Sequence, residues 1–213
     1  FAAHAWLADA GYRVETTGVE LRPALCQEIE GIARRLGPRF DGLHFEAGDI
    51  NQIGSIIGGA ADEVESIDVL VALHACDTAT DDAIWQGISR RARVLALAPC
   101  CHKQVRRQLE NVAHSGHAVG PMLRHATYRE RMAEMLTDAA RVLLLEMAGY
   151  DVRLFEFVGG EHTPKNVMIT ATLRDKPRSV SELESTRGKL LSQVSLFGVE
   201  KMRLAELLGV DLK

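Results

Sequence analysis

Apolar and polar positions alternate in two rhythms along the first half of the chain. Short, near-continuous apolar runs such as "SIDVLVALHA" and "RVLALAPCC" suit strands buried on both faces of a parallel sheet. Between them lie stretches with apolar residues at helical spacing. "FAAHAWLADAGY" has apolar residues Phe1, Ala5, Trp6 and Ala10 that fit a helix ending at Gly11, with no capping residue ahead of it. "YRVETTGVEL" reads as a strand, and "RPALCQEIEGIARRLG" as an amphipathic helix with proline in its first turn and Gly37 at its close. "GLHFEAGDI" reads as a second strand, "NQIGSIIGGAADEV" as a polar, glycine-broken connector, and "TDDAIWQGISRRA" as a helix with Thr80 as its N-cap. This alternation predicts a doubly wound α/β sheet.

The second half has a different rhythm. "YRERMAEMLTDAARVLLLEMAG" is a long helical pattern with Gly149 as its C-cap. "DVRLFEFV" and "VMITATLR" are strands joined by "GGEHTPKN", a loop too short for a parallel crossover, so they pair antiparallel. "RSVSELESTRGKLLSQV" and "VEKMRLAELLG" form a helical tail. The predicted organisation is an α/β domain over residues 1–175 and a tail over 176–213, with no internal repeat.

Composition narrows the picture. A chain of 213 residues with 46% apolar content buries a substantial core. Its net charge of −4 and pI of about 6.1 speak against wholesale electrostatic binding of nucleic acid, while leaving room for a local basic face. Four cysteines, two of them adjacent, do not form the spaced framework of a secreted domain, so a reducing, cytoplasmic setting is expected. No apolar run reaches the roughly 20 residues of a membrane span, and no membrane partner is expected.

In an open α/β sheet, ligands bind beyond the carboxyl ends of the strands. The predicted ends hold Glu20, Asp49, residues 74–77 and residues 99–102. Glu20 stands where a carboxylate can accept two ribose hydroxyls, or is a surface glutamate ahead of a helix. Asp49 is an adenine neighbour, or the aspartate of a Gly-Asp turn. His74, Cys76, Cys100, Cys101 and His102 end strands that should be adjacent, so nitrogen and sulfur donors could converge on zinc. Against this, the CxxC spacing is missing and adjacent cysteines on an extended chain point oppositely; no metal is expected. Packed apolar thiols and a nucleophilic thiol are the other readings. Asp81 and Asp82 are explained by the first turn of a helix. Lys103, Arg106, Arg107, Arg124, Arg129 and Arg131, with Tyr128 interleaved, could hold phosphates or form a solvated face.

"LHACDTATDDAI", "APCCHKQ" and "HTPKNVMI" together resemble the class I S-adenosylmethionine-dependent methyltransferase domains with an H-x-C-x-x-x-T-D segment after the fourth strand and C-C-H or C-C-Y after the fifth. The same pair of signatures occurs in the tRNA ribose 2′-O-methyltransferases of the acceptor stem. The resemblance covers residues 1 to about 175. It implies a Rossmann-like sheet ending in an antiparallel strand pair, S-adenosyl-L-methionine as cofactor, and RNA, in particular tRNA, as partner.

By position, the resemblance implies that Glu20 holds the cofactor ribose, Asp49 and Ile50 flank the adenine, and His74 with Cys76 lines the methionine end. Cys100, Cys101 and His102 form the neighbouring wall, with Asn166 and Lys165 closing the substrate side; from the local basic stretch, Arg124 and the interleaved Tyr128 are added as candidates for meeting the acceptor. Asp77 stands where many relatives have glycine, and the glycine-rich loop is not in this sequence. "FAAHAWLADAGY" matches the helix that follows that loop, so the chain is expected to lack its first strand. The expected activity is methyl transfer to an RNA ribose hydroxyl. His74, Cys76, His102 and Lys165 are the catalytic candidates, and direct transfer is ranked above a covalent cysteine adduct. The alternatives are a methyltransferase-like binding module without catalysis, and a small-molecule or protein acceptor.

Overall fold

Parallel strands need a crossover, and the helical patterns supply it. The structure, a computed structural model, describes residues 1–52, 66–163 and 165–213; most of the expected polar connector, and Pro164, lie outside the described residues. The chain divides into two compact units, Phe1–Glu65 and Ser66–Lys213.

In the first unit, helix α1 (Ala2–Asp9) leads to strand β1 (Thr16–Glu20), which crosses over through α2 (Pro23–Arg35) to β2 (Leu43–Ala47). The strands pair in parallel from Thr16 opposite Leu43 to Glu20 opposite Ala47. Pro23 sits in the first turn of α2, where its missing N–H has no intrahelical partner to lose. Gly37, with φ of 84°, turns the chain away just past the helix. Phe1 stacks on Phe45 at 5.2 Å between centroids, and buried His4 meets Thr16 Oγ1 at 3.0 Å. Glu30 accepts the Phe45 N–H at 2.7 Å, tying α2 to β2.

In the second unit, β3 (Val69–Leu73) crosses through α3 (Thr78–Ser89) to β4 (Val94–Ala98). Helices α4 (Lys103–His114), α5 (Gly120–Leu123) and α6 (Ala126–Met147) follow, and then strands β5 (Tyr150–Glu156) and β6 (Val167–Leu173). The sheet order is β3-β4-β6-β5. Strands β3 and β4 are parallel, and β6 inserts antiparallel between β4 and β5, as the short loop predicted. Helices α7 (Val180–Leu196) and α8 (Arg203–Leu207) close the chain. Ser179 and Glu182 form a reciprocal capping box at the start of α7.

The core lies on one face of this sheet: Leu95, Leu97, Ile169 and Ala171 of the strands and Ile84, Leu144 and Leu145 of the helices are all fully buried. Gly87 lets α3 press onto β4: a Cβ there would come within 2.3 Å of Leu95 Cδ2.

Three expectations change. Strand β3 is not buried on both faces: among the described residues it lies at an edge of its sheet, and Val69, Val71 and Leu73 alternate outward at 47–57% exposure while Leu70 and Ala72 are buried. Thr80 is not an N-cap. Helix α3 begins three residues earlier than that cap would place it, with Asp77 at the cap position, and the Thr80 hydroxyl donates back to the Ala75 carbonyl. Strand β4 ends at Ala98, so Cys100 and Cys101 lie in the irregular segment before α4.

Candidate functional site

The parallel register of β3 and β4 runs to Leu73 opposite Ala98, and the His74 N–H extends the pairing by donating to the Ala98 carbonyl at 3.0 Å. The two following turns are therefore delivered side by side. His74 and Asp77 take positive φ values of 59° and 55°, a conformation that costs side-chain-bearing residues of order 1–3 kcal/mol. Hydrogen bonds hold the turn there: Asp77 Oδ1 accepts from the Gln104 N–H at 2.9 Å, and the Asp77 carbonyl accepts from Arg141 Nη2 at 2.9 Å.

Cys76, Cys100 and Cys101 converge at this point, with each of the three sulfur pairs separated by 3.7 Å. Adjacent cysteines were expected to point apart as on a strand; outside the strand that alternation does not apply, and Cys100 and Cys101 face the same way. Burial, then hydrogen bonds from Cys101 and Cys76, push the Cys100 thiol up to about 12. A thiol so placed is a poor nucleophile.

Beneath the turns runs a buried ionic chain. Arg141 is fully buried and grips Asp81 through Nε at 2.9 Å and Nη2 at 3.1 Å. Its Nη1 meets Asp138 Oδ1 at 3.0 Å, and the same oxygen meets His102 Nε2 at 3.1 Å. A carboxylate only accepts, so Nε2 donates to Asp138. His102 Nδ1 is buried and has no hydrogen-bond partner among the described residues. Desolvation opposes the charge on Arg141, but Asp81 and Asp138 outweigh it and hold the guanidinium above its ordinary value. Asp81 and Asp82 are thus not explained by the helix dipole alone: both are buried, and Asp82 pairs with Arg203 of α8 at 2.9 Å.

On the β5–β6 side, Lys165 reaches Glu134 of α6 at 2.8 Å. Burial works against its charge, but the hydrogen bond and charge of Glu134 prevail and raise it above the usual lysine value. Asn166 is buried and donates to the Val158 carbonyl at 2.9 Å, pinning the loop between the strands. Arg124 and Tyr128 are exposed around the start of α6, with the Tyr128 ring edge-on to His125. Of the other basic residues, Arg106 pairs with Glu130 and Arg129 with Glu110, each at 3.4 Å.

Within the first unit, Glu20 Oε1 accepts from the Arg22 backbone N–H at 3.0 Å and from its Nε at 2.8 Å. Those hydrogen bonds hold the Glu20 carboxyl below its ordinary value. Asp49 Oδ1 accepts from the Asn51 N–H at 2.8 Å, the closed turn of the Gly-Asp reading, and Ile50 opens a single 3₁₀ turn (Ile50–Gln52). Sequence reasoning missed Asp138 and Arg141. An aspartate and an arginine three apart in the middle of an apolar helical pattern were the available signal, since buried charges are kept only when paired.

The profile of a family described as a methyltransferase domain matches residues 1–108. A solved structure, the methyltransferase domain of bacterial CtHen1-C, is similar with 14% identity and a TM-score of 0.45, over 80% of this chain and 83% of that one. No curated protein matches the chain. No helix among the described residues is long and apolar enough to cross a membrane.

Proposed function

The chain belongs to the methyltransferase domain family, and on that premise we propose that it moves a methyl group from S-adenosyl-L-methionine to a ribose hydroxyl of RNA, in particular tRNA. The observation that carries the reading furthest is His102, which lies just past the end of β4, with Nε2 held by Asp138 and a buried Nδ1 that has no hydrogen-bond partner among the described residues. A ribose hydroxyl is a weak acid, and a base oriented by a carboxylate is the arrangement that removes its proton.

S-adenosylmethionine supplies a sulfonium-bound methyl group for in-line displacement. The residues fit it chemically: Glu20 is a carboxylate kept ionised by Arg22, as an acceptor of ribose hydroxyls must be. Asp49 and Ile50, of the same unit, would flank the adenine. The protein's remaining contribution is positioning and electrostatics. His102 receives the acceptor proton at Nδ1, and Asp138 fixes its ring. Lys165, held protonated by Glu134, is a cation for the developing alkoxide or a neighbouring phosphate rather than a base. Cys100, Cys101 and Asn166 line the acceptor side, while Arg124 and Tyr128 offer charge and a stacking face to RNA. The raised Cys100 thiol supports direct transfer over a covalent adduct.

The test is incubation of the full chain with methyl-tritiated S-adenosylmethionine and total tRNA, followed by nucleoside mass spectrometry. The expected product is a 2′-O-methylated nucleoside, formed by the wild type and lost in His102→Gln. Label appearing in protein or small molecules instead moves the acceptor elsewhere. No transfer to any acceptor, with RNA still bound, makes the chain a binding module.

A further inference from the structure

The three-sulfur cluster has a use that methyl transfer does not require. Cys76 comes from the turn after β3, and Cys100 and Cys101 from the turn after β4; their sulfurs form an equilateral triangle 3.7 Å on a side. A tetrahedral cation with metal–sulfur bonds of about 2.3 Å needs ligand sulfurs about 3.8 Å apart. The observed triangle is one face of that tetrahedron. Among the described residues, these three make the cluster, one vertex short of the tetrahedron.

The cradle is also held in advance. The Ala75 carbonyl takes the Thr80 hydroxyl, the Asp77 side chain takes the Gln104 N–H, and the Asp77 carbonyl takes Arg141 from the buried ionic chain. Both cysteine-bearing turns are therefore fixed to each other through α3, α4 and α6. A preformed triangle avoids the ordering cost that a flexible set of thiols meets on binding.

We infer that Cys76, Cys100 and Cys101 form a three-thiolate site for a zinc-class cation, with water or an incoming heteroatom as the fourth ligand. Zinc takes sulfur in tetrahedral geometry, and three protein ligands with one open position is the arrangement of reactive rather than purely structural sites. Each thiol sheds its proton as the sulfur–metal bond forms. Cys76 is exposed and Cys100 and Cys101 are half-buried, so the cation has a path in.

The experiment uses the full chain, purified under reductant. Elemental analysis after dialysis against zinc and then zinc-free buffer should give one zinc per chain. Titration of the metal-free protein with Co²⁺ should give thiolate-to-metal charge-transfer absorption that saturates at one equivalent and is displaced by Zn²⁺. Cys76→Ser, Cys100→Ser and Cys101→Ser should each lose the band and the zinc, with folding checked by circular dichroism. Because Cys76 is exposed, its variant keeps the test valid if the other two misfold. Cys26→Ser, in α2 of the other unit, should keep full stoichiometry. Absence of zinc and of the cobalt band in the reduced wild type overturns the inference, as does retention of both in Cys76→Ser. An intact mass two hydrogens short, in a chain that binds no zinc once reduced, assigns the cluster to disulfide chemistry and overturns it too.

Discussion

The carboxyl end of β1 and the carboxyl end of β3 each lead to an arginine–carboxylate pair, and the two pairs share little beyond their chemistry. Glu20 and Arg22 are two residues apart, and Arg22 lies in open water. Asp81 and Arg141 are 60 residues apart, join two helices, and are each about 1–4% exposed at the side chain. Water screens the first pair and makes it replaceable. The second has no solvent to fall back on, so removing one partner leaves a charge stranded. The first end presents a partly exposed carboxylate; the second builds a buried ionic floor beneath the turns that follow β3 and β4.

The largest expected difference is catalytic. Replacing His102 with Gln should lower kcat by about 10²–10⁴-fold, the usual range for a lost general base, with RNA affinity unchanged. Single-turnover kinetics and filter binding measure the two; an unchanged kcat removes His102 from the chemistry. Next comes stability. Arg141→Met should cost about 3–5 kcal/mol in urea unfolding because Asp81 and Asp138 are left buried without a counter-charge. Arg22→Met should leave the unfolding midpoint within error of the wild type. If the two substitutions cost the same, the contrast between the strand ends is wrong.

Cys76→Ser should change turnover by no more than about tenfold, against the near-total loss a covalent nucleophile shows. No RNA adduct should be trapped by a 5-fluoropyrimidine substrate.

The smallest effect is that of Glu20 on stability. Arg22 depresses its folded-state pKa below 4.5, so its contribution is fully present above pH 4.5 and disappears as pH falls through the depressed value. The stability difference between wild type and Glu20→Gln should therefore be flat from pH 8 to about 5 and shrink below 4.5. A difference that grows on acidification contradicts the assignment.

What could be read from the sequence follows the same division. The helix over 23–35 with Pro23 at one end and Gly37 beyond the other, the parallel pairing of β1 with β2, and the antiparallel pairing of β5 with β6 all rest on local patterns and loop lengths. So did the adjacency of the turns after β3 and β4. The partners of Asp81 and Asp82 were not legible, because they lie 60 and 121 residues downstream and nothing in the first turn of a helix names them. The thiol triangle was hidden by treating Cys100 and Cys101 as strand residues, when the strand stops at Ala98. Thr80 looked like a cap because threonine is a good one. The actual cap position is Asp77 at positive φ, a conformation that glycine takes without strain.

The claim of methyl transfer stands most directly on whether the chain binds the product of the methyl donor. Calorimetric titration of the full chain with S-adenosylhomocysteine should give a saturable heat at one site. At about 100 times the dissociation constant the ligand should stabilise the fold by about 2.7 kcal/mol, raising the melting temperature by about 5–10 °C for a chain of this size. Glu20→Gln should weaken that binding and leave the unliganded melting temperature near that of the wild type. A folded chain that gives no heat and no shift at millimolar ligand would contradict the account.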